Sequence, residues 1–490
     1  MRHVHGGPRL LKGDPRPAAA RIESHGGLAR RIFLALCPTS RPPNRMRHLR
    51  PSMIAIAIGS FACFSTFVAL AQPITPPSTV RTTSLPEAVA IALRQSPDIL
   101  TRQAELDDAE GQRAEVRGQF GPKLRVDANL QQWNSPFDLP FGPEVFRVRE
   151  AFTWTVSPTI IQPITQLLTI FDQYKMQDFG VDIAGIRREV ARRDVAFQVV
   201  QGYYRLLEAQ RLSEVADASV AQLEAQRRVA QSQFDNGVIA KNDLLRALLA
   251  LANAKQRAIQ IRGQIILSRG ALNTAMGLPP DTPFEPVAFS GELPSLGERT
   301  IEFAEDSAVA QRLEIAEAKS DIARAKAGVG VAKDRLLPQV NAMGNYTHFE
   351  GSQFQQVDAA YIGLFASWDA WDWGTTISGI RRADAQVDRL RIAHKKLEDQ
   401  VRTEARQAFV NATTAREALD VSRAAISEAE ENFRIVTKKF ENNSATSFDV
   451  IDAEALLTQA RGQIETARYN YLIAKAALNR ATGRTMESER

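Results

Sequence analysis

This chain contains one unit twice over. Displaced by 206 positions, the segment Phe234–Gly277 falls on Phe440–Gly483 without a gap. Phe234, Asp235 and Asn236 meet Phe440, Glu441 and Asn442, Asp243 meets Asp449, and Leu272, Asn273 and Gly277 meet Leu478, Asn479 and Gly483. Upstream the displacement is 216: Pro122 meets Pro338, and Pro97, Asp98 and Ile99 meet Leu313, Glu314 and Ile315. A ten-residue excess therefore lies between the matched blocks of the first copy. Tandem copies of one unit predict a quasi-symmetric assembly rather than a single cleft. The copies span residues 84–277 and 300–483, joined by a Pro-rich linker over 278–299 and followed by a short tail, 484–490.

Charge separates the N-terminus from the rest. Residues 1–50 hold eleven Lys and Arg against two acids, supplying +9, so residues 51–490 carry −4 of the whole-chain +5. The basic balance belongs to a leader and is no argument for nucleic acid. Arg47 and Arg50 precede an apolar run from Met53 to Ala71 that ends Ala69-Leu70-Ala71, which reads as a signal peptide over 46–71. A membrane anchor of similar length is the alternative. Residues 1–45 read as an over-extended start, and 72–83 as a linker. Cys37 and Cys63 both precede the expected cut, leaving about 419 residues without disulfide or thiolate chemistry. Cys63 as a lipid-attachment site is a poor match, because Ser60-Phe61-Ala62 precedes it and the apolar run continues past it.

Residues 86–118 have helical apolar spacing up to Gly121-Pro122. The period then changes to two. Leu124, Val126, Ala128 and Leu130 alternate with Arg125, Asp127, Asn129 and Gln131, and Phe152, Trp154 and Val156 alternate with Thr153, Thr155 and Ser157. In the second copy Val340, Ala342, Gly344 and Tyr346 alternate with polar residues, and Ile362, Leu364 and Ala366 begin a fourth strand. Each copy thus predicts two amphipathic strands. Residues 175–233, free of Pro, predict a helix of some 59 residues, far beyond globular lengths. A turn at Asp235-Asn236-Gly237 and a cap at Asn242 start a returning helix over 243–276, and the second copy repeats this over 377–440 and 447–482.

All five tryptophans, Trp133, Trp154, Trp368, Trp371 and Trp373, fall in or beside the strands. Strands favour aromatics in any case; a membrane barrel with an aromatic girdle explains the placement more sharply. Four strands are too few to close on themselves, and an open edge is not tolerated in lipid. Several protomers must then pool their strands.

The layout resembles the TolC-type outer-membrane efflux protein family over residues 84–483. Ser84-Leu85-Pro86-Glu87-Ala88-Val89 and Ser96-Pro97-Asp98-Ile99 are similar to its opening, and Leu336-Leu337-Pro338-Gln339 to its helix-to-strand entry. Phe448-Asp449-Val450-Ile451-Asp452-Ala453 and Ala467-Arg468-Tyr469-Asn470-Tyr471-Leu472 are similar to its last helix. The resemblance implies a mainly α chain with a membrane β-barrel: a homotrimer with a shared twelve-stranded barrel, four strands per chain, continued by a periplasmic α-helical tunnel. It implies cargo handed over by an inner-membrane transporter through a periplasmic adaptor, outer-membrane lipid around the barrel, no nucleic acid, no cofactor and no catalysis.

Asp449 and Asp452, one turn apart, place two carboxylates near the tip, and the matching pair in the family rings a constriction. Asp449 equally suits the start of a helix behind Thr446 or Ser447. In the first copy the equivalents are Asp243 and Arg246. Family members latch the tip through an acid at the position of Asp243 and an arginine from the second tip; Ala445 stands at that arginine's place and Phe440 at that of a bonding tyrosine. Asp243 and Arg246 remain the latch candidates. Asn236, Gly237 and Val238, with Asn442, Asn443 and Ser444, are either adaptor contacts or ordinary turn chemistry. Past the expected cut only His348 and His394 remain, without metal-ligand spacing, and Gly328-Val329-Gly330 lacks the rest of a phosphate-binding loop. A trimeric surface adhesin or coiled-coil scaffold is the competing reading; it predicts sustained heptads and no amphipathic strands. A periplasmic enzyme would need a convergent polar site, which the sequence does not offer.

Overall fold

The computed structural model describes residues 81–484 apart from 290, 298, 299 and 443. The leader, the signal peptide over 46–71, most of the 72–83 linker, Asn443 and nearly all of the 484–490 tail lie outside the described residues.

The first repeat runs α1 (Leu85–Gln95), α2 (Pro97–Gly118), β2 (Lys123–Gln132), β3 (Phe137–Phe141), β4 (Glu144–Pro163), α3 (Gln166–Asp235) and α4 (Lys241–Ala275), preceded by a short strand β1 (Arg81–Thr83). After β5 (Phe284–Pro286), the second repeat runs α5 (Ile301–Gln311), α6 (Leu313–Asp334), β6 (Gln339–Ser352), β7 (Asp358–Ser367), α7 (Thr375–Glu441) and α8 (Ser447–Ala481). At 1.5 Å per residue the 70 residues of α3 extend about 105 Å. The helix starts nine residues earlier than 175, because nothing between Thr165 and Lys175 breaks it.

Three further expectations are corrected. The helix read over 86–118 is two helices, since Pro97 forces Ser96 out of the helical region, to ψ 126. The second copy breaks at the equivalent Arg312, with ψ 129 and no proline. Asn242 is not the cap of α4: the helix begins at Lys241 behind Ala240, whose side chain makes no capping bond. The 278–299 linker holds β5, which pairs in parallel with β1; Tyr203 Oη donates to Thr83 O and Val287 O at 3.1 and 2.9 Å and ties both to α3.

The long strands order β2-β4-β6-β7, all antiparallel, with β3 pairing β4 as a hairpin extension. The strand region with that hairpin is seven residues longer in the first copy than in the second, and α3, with 70 residues against the 67 of α7, supplies the other three of the ten-residue excess. Register fixes the faces. Leu124, Val126, Ala128 and Leu130 oppose Ile160, Pro158, Val156 and Trp154, and the same face continues through Ala342 and Gly344 of β6, whose partners are Leu364 and Ile362. The other face carries Arg125, Asp127 and Asn129 against Thr159, Ser157 and Thr155, then Asn345. Along β2 and its partners one face is apolar and the other wet, as a lipid-facing wall requires, while Glu350, His348 and Asp358 share the apolar face at the end far from the helices, and Met343, Phe349, Tyr361 and Phe365 share the other. Leu124, Leu130, Ile362 and Leu364 are 68, 71, 94 and 72% exposed, a cost in water that lipid removes.

Helices cover α3 in two stages. Arg113–Asp178 and Arg188–Gln103 join α2 to its sheet-proximal half, and Arg262–Asp217 and Lys255–Glu224 join α4 to its far half. The end of α4 abuts the start of α2. Both returning helices finish in the same motif: Gly277 and Gly483 have φ of 76 and 80°, and the following N–H groups of Leu278 and Arg484 bond back to Asn273 O and Asn479 O at 2.8 and 2.9 Å. A Cβ on Gly277 would lie 2.5 Å from Gln95 O, and one on Gly483 3.0 Å from Gln311, so each glycine meets the equivalent helix break of its own repeat. The main core sits at this level, with Val199, Leu206, Leu272, Met276 and Tyr469 buried together.

Candidate functional site

The tips are built from helix ends. After α3, Gly237 (φ 71°) turns the chain, with Gly237 N and Val238 N bonded to Phe234 O and Gln233 O at 2.9 and 2.8 Å. The second tip repeats the bond of Val238, from Ser444 N to Lys439 O at 2.7 Å. Asn236, Gly237, Val238, Asn442 and Ser444 are all exposed. The two turns do not lie level. Gln226 Nε2 donates to Ser447 Oγ at 2.8 Å, so α8 begins beside a residue nine positions short of the end of α3. The first-repeat tip therefore reaches about 13 Å further.

Asp449 closes a capping box. Its carboxylate accepts from Thr446 N at 2.7 Å and Thr446 Oγ1 at 2.8 Å, while Asp449 N donates to Thr446 Oγ1 at 3.3 Å. The backbone bond, then the hydroxyl bond, hold this carboxyl below its ordinary range. Asp452, one turn on, is exposed and makes no hydrogen bond or ion pair among the described residues. The pair thus divides: one acid starts the helix and the other presents a free charge.

Asp243 and Arg246 are not brought together. Arg246 instead places its guanidinium 5.3 Å from the ring centre of Phe448, linking the tip of the first repeat to that of the second. Behind this contact runs a buried polar seam between α3 and α8 that sequence reasoning missed. Ser219 Oγ donates to Glu454 Oε1 at 2.8 Å, Thr458 Oγ1 donates to the same oxygen at 2.8 Å, and Gln226 bonds Ser447; Ser219, Gln226, Ser447 and Glu454 are all under a tenth exposed. The one available signal was a break in internal symmetry: Glu454 stands where the first copy has Leu248.

The tryptophans do not share one face. Trp154 lies on the apolar face, its Nε1 donating to Glu350 Oε2 at 2.6 Å. Trp133 turns to the wet face: its Nε1 donates to Thr153 Oγ1, the register partner of Gln131, and Arg149 stacks on its ring at 3.6 Å. At the opposite, helix-proximal end of the sheet Trp368 bonds Leu336 O, and Trp371 and Trp373 stand edge to face at 5.7 Å, 75 and 88% exposed. Asp372 fixes that turn by accepting from Gly374 N and Thr376 N at 3.0 and 2.7 Å, and Trp373 adopts φ 55° beside it. Among the described residues no group of His, Cys, Asp and Glu could hold a metal, and no helix is long and apolar enough to cross a membrane.

An amphipathic sheet continued by long helical hairpins, twice over, has counterparts among known proteins, and the outer membrane efflux protein family model matches residues 88–278 and 305–484. The chain belongs to that family. TolC of Salmonella enteritidis is 20% identical over 467 residues, 91% of this chain and 88% of TolC. The efflux protein BepC of Brucella suis is 22% identical over 304 residues, 61% of this chain but only 66% of BepC. The CmeC outer membrane channel of Campylobacter jejuni superposes with a TM-score of 0.71 at 17% identity, covering 83% of this chain and 87% of CmeC. The protein is an outer-membrane export channel subunit, with its strands in the outer membrane and its helices in the periplasm. A surface adhesin or scaffold is set aside by the family match and by the strands.

Proposed function

We propose that three copies close into one passive duct, their four long strands each making a twelve-stranded barrel, and that an inner-membrane transporter delivers cargo to it through a periplasmic adaptor. The observation that carries this reading is the sheet: β2 and β7 are free edges, and one face is apolar. Lipid excludes unpaired edges, and four strands enclose nothing, so closure needs other copies. The subunit needs no catalysis or cofactor. Cargo selectivity belongs largely to the transporter, so drug, metal ion and polypeptide are all compatible with the duct.

At the tip, three Asp452 carboxylates would face the axis, attracting cations and repelling anions. Asp449 contributes mainly to the helix start. The first-repeat turn, being the deeper, offers Asn236, Gly237 and Val238 to the adaptor ahead of Asn442, Asn443 and Ser444. Single-channel recording in planar bilayers under a salt gradient tests the gate. The unaltered channel should prefer cations, and Asp452→Asn should abolish most of that preference; an unchanged reversal potential would sink the assignment.

A further inference from the structure

The wet face of the sheet is not electrically neutral. Register and alternation place Lys123, Arg125 and Asp127 of β2 on it, with Arg147 and Arg149 of β4 and, opposite Arg147, Asp138 of β3. The wet-face positions of β6 and β7 hold no charge, so four cations against two acids leave +2 per chain. These charges differ in how they are held. Arg125 pairs with Asp127 at 2.8 Å and Arg147 with Asp138 at 3.0 Å, and those four cancel. Lys123 and Arg149 make no ion pair among the described residues, and they stand at opposite ends of the strands, Lys123 beside the helices and Arg149 at the outer mouth.

Arg149 is held in place by its surroundings. Its guanidinium lies 3.6 Å from the centre of the Trp133 ring. Trp133 is itself tied down, its backbone N–H donating to Ala151 O at 2.7 Å and its Nε1 to Thr153 Oγ1 at 3.2 Å. Three successive wet-face positions of β4, Thr153, Ala151 and Arg149, are thus joined to one indole. The strand is also irregular here. Between the pairs Arg149↔Ser352 and Trp154↔Glu350, β4 has four residues against one on β6. That one is Gly351, at φ 101°, where a Cβ would lie 2.6 Å from Phe152 O. Bulges at barrel rims re-aim side chains. The guanidinium makes no hydrogen bond among the described residues, and its Nε is buried without an acceptor. A guanidinium with one face on an aromatic ring still presents its planar N–H edge, which matches a phosphate or carboxylate.

We infer that Arg149, positioned by Trp133, forms three times around the outer mouth a subsite for phosphate-class polyanions; this rests on the three-copy reading above. Twelve strands about 4.8 Å apart, tilted by about 40°, make a barrel roughly 12 Å in backbone radius. Three guanidinium groups facing into such a ring act together on a polyanion at its centre, because low-dielectric walls focus their fields. The two ends of the duct then carry opposite charge, Asp452 at the inlet and Arg149 at the outlet. The phosphate can come from the medium outside or on cargo from the inlet, and the side of addition separates these sources.

The test is planar-bilayer recording of the purified full-length protein, added to one chamber only. The helical part is too long to cross, so the tips stay in that chamber and the outer mouth faces the other. Inositol hexakisphosphate is the probe. Added on the side of the outer mouth, it should block the potassium chloride current, and Arg149→Gln should raise the half-blocking concentration at least about tenfold in channels that still conduct. Trp133→Ala, which releases the guanidinium without removing its charge, should raise it less, and Lys123→Gln should not move it. Arg149→Lys keeps the charge but not the planar fork and should fall between arginine and glutamine. Conducting channels that the probe never blocks, or that it blocks equally after Arg149→Gln, would overturn the subsite and leave the three-copy reading standing. A lysine variant blocked as tightly as arginine would overturn the stacked fork as the binding group. Stronger block from the tip chamber that still depends on Arg149 would support the subsite with cargo as the source. A protein that is monomeric by light scattering and passes no current would overturn both readings.

Discussion

Gly237, Gly277 and Gly483 allow the stability of the helical wall to be tested by a graded series. All three have positive φ, at 71, 76 and 80°. Alanine at any of them therefore bears about 1–2 kcal/mol for a left-handed backbone, partly offset by a stiffer unfolded chain. Surroundings separate the three. A Cβ on Gly237 meets nothing within 4 Å, one on Gly483 meets Gln311 atoms at 3.0 Å, and one on Gly277 meets the backbone oxygen of Gln95 at 2.5 Å. Backbone has nowhere cheap to move, so overpacking adds about 1–3 kcal/mol at Gly277 and a smaller part of that at Gly483. The expected costs are about 1 kcal/mol for Gly237→Ala, about 2 for Gly483→Ala and about 2–4 for Gly277→Ala. Denaturant unfolding followed by far-ultraviolet circular dichroism reads the order. Equal losses for Gly237→Ala and Gly277→Ala would refute the idea that α4 is seated on the α1–α2 break through that contact.

Two further outcomes concern the helix break in the middle of the wall and its junction with the sheet. Arg312 is buried and bonded to Glu314 and Glu404, and Arg193 joins Glu314 at 2.5 Å. Burial pushes the Glu314 carboxyl up, but the bonds from Arg312 and Arg193 outweigh it and hold the group at about 2. A depressed carboxyl stabilises above its unfolded value and loses that contribution as pH falls, so stability on the order of 3 kcal/mol should drain between about pH 4.5 and 2. Arg312→Met should cost about 3–5 kcal/mol near neutrality and flatten that acid limb; an unchanged acid titration would contradict the pairing. At the sheet–helix junction, Trp373→Gly should relieve a left-handed residue yet weaken membrane seating. In single-tryptophan variants, lipid brominated near the headgroup should quench Trp371 and Trp373 and spare Trp133, and quenching of Trp133 instead would reverse the faces assigned to the sheet.

Much of the fold was legible because it is periodic. Alternation in Leu124–Gln131 and Val340–Tyr346 is a property of single strands, and register only had to carry it across the sheet. The long helices were legible from missing breakers. What escaped was short or non-local. Three-residue β1 and β5 have no period, and the hairpin of β3 depends on pairing that no local signal announces. Arg312 breaks its helix without proline because its buried guanidinium is held by carboxylates from its own helix and from α7. Trp133 was placed with the other tryptophans by proximity in sequence, yet a side chain just past a strand end takes its face from a neighbouring strand, here through Thr153.

The tip shows why site residues resist sequence reasoning more than folds do. Asp449 and Asp452 look equivalent in sequence, two carboxylates one turn apart. Their difference arises from Thr446, which occupies the carboxylate of one and is out of reach of the other. Likewise Arg246 pairs with Phe448 rather than with Asp243, its near neighbour on the same helix. With Ala445 and Phe440 at the positions where the latch residues of the resembled family would stand, an arginine from the first tip engages an aromatic ring at the second. Such a contact is worth about 0.5–1 kcal/mol when exposed, too little to hold a tip alone. The buried bonds of Ser219 to Glu454 and of Gln226 to Ser447, which cross from α3 to α8, are better placed to do so. Parting α3 from α8 would cost Glu454 the Ser219 donor and Ser447 the Gln226 donor, and breaking buried hydrogen bonds costs more than a surface pair returns.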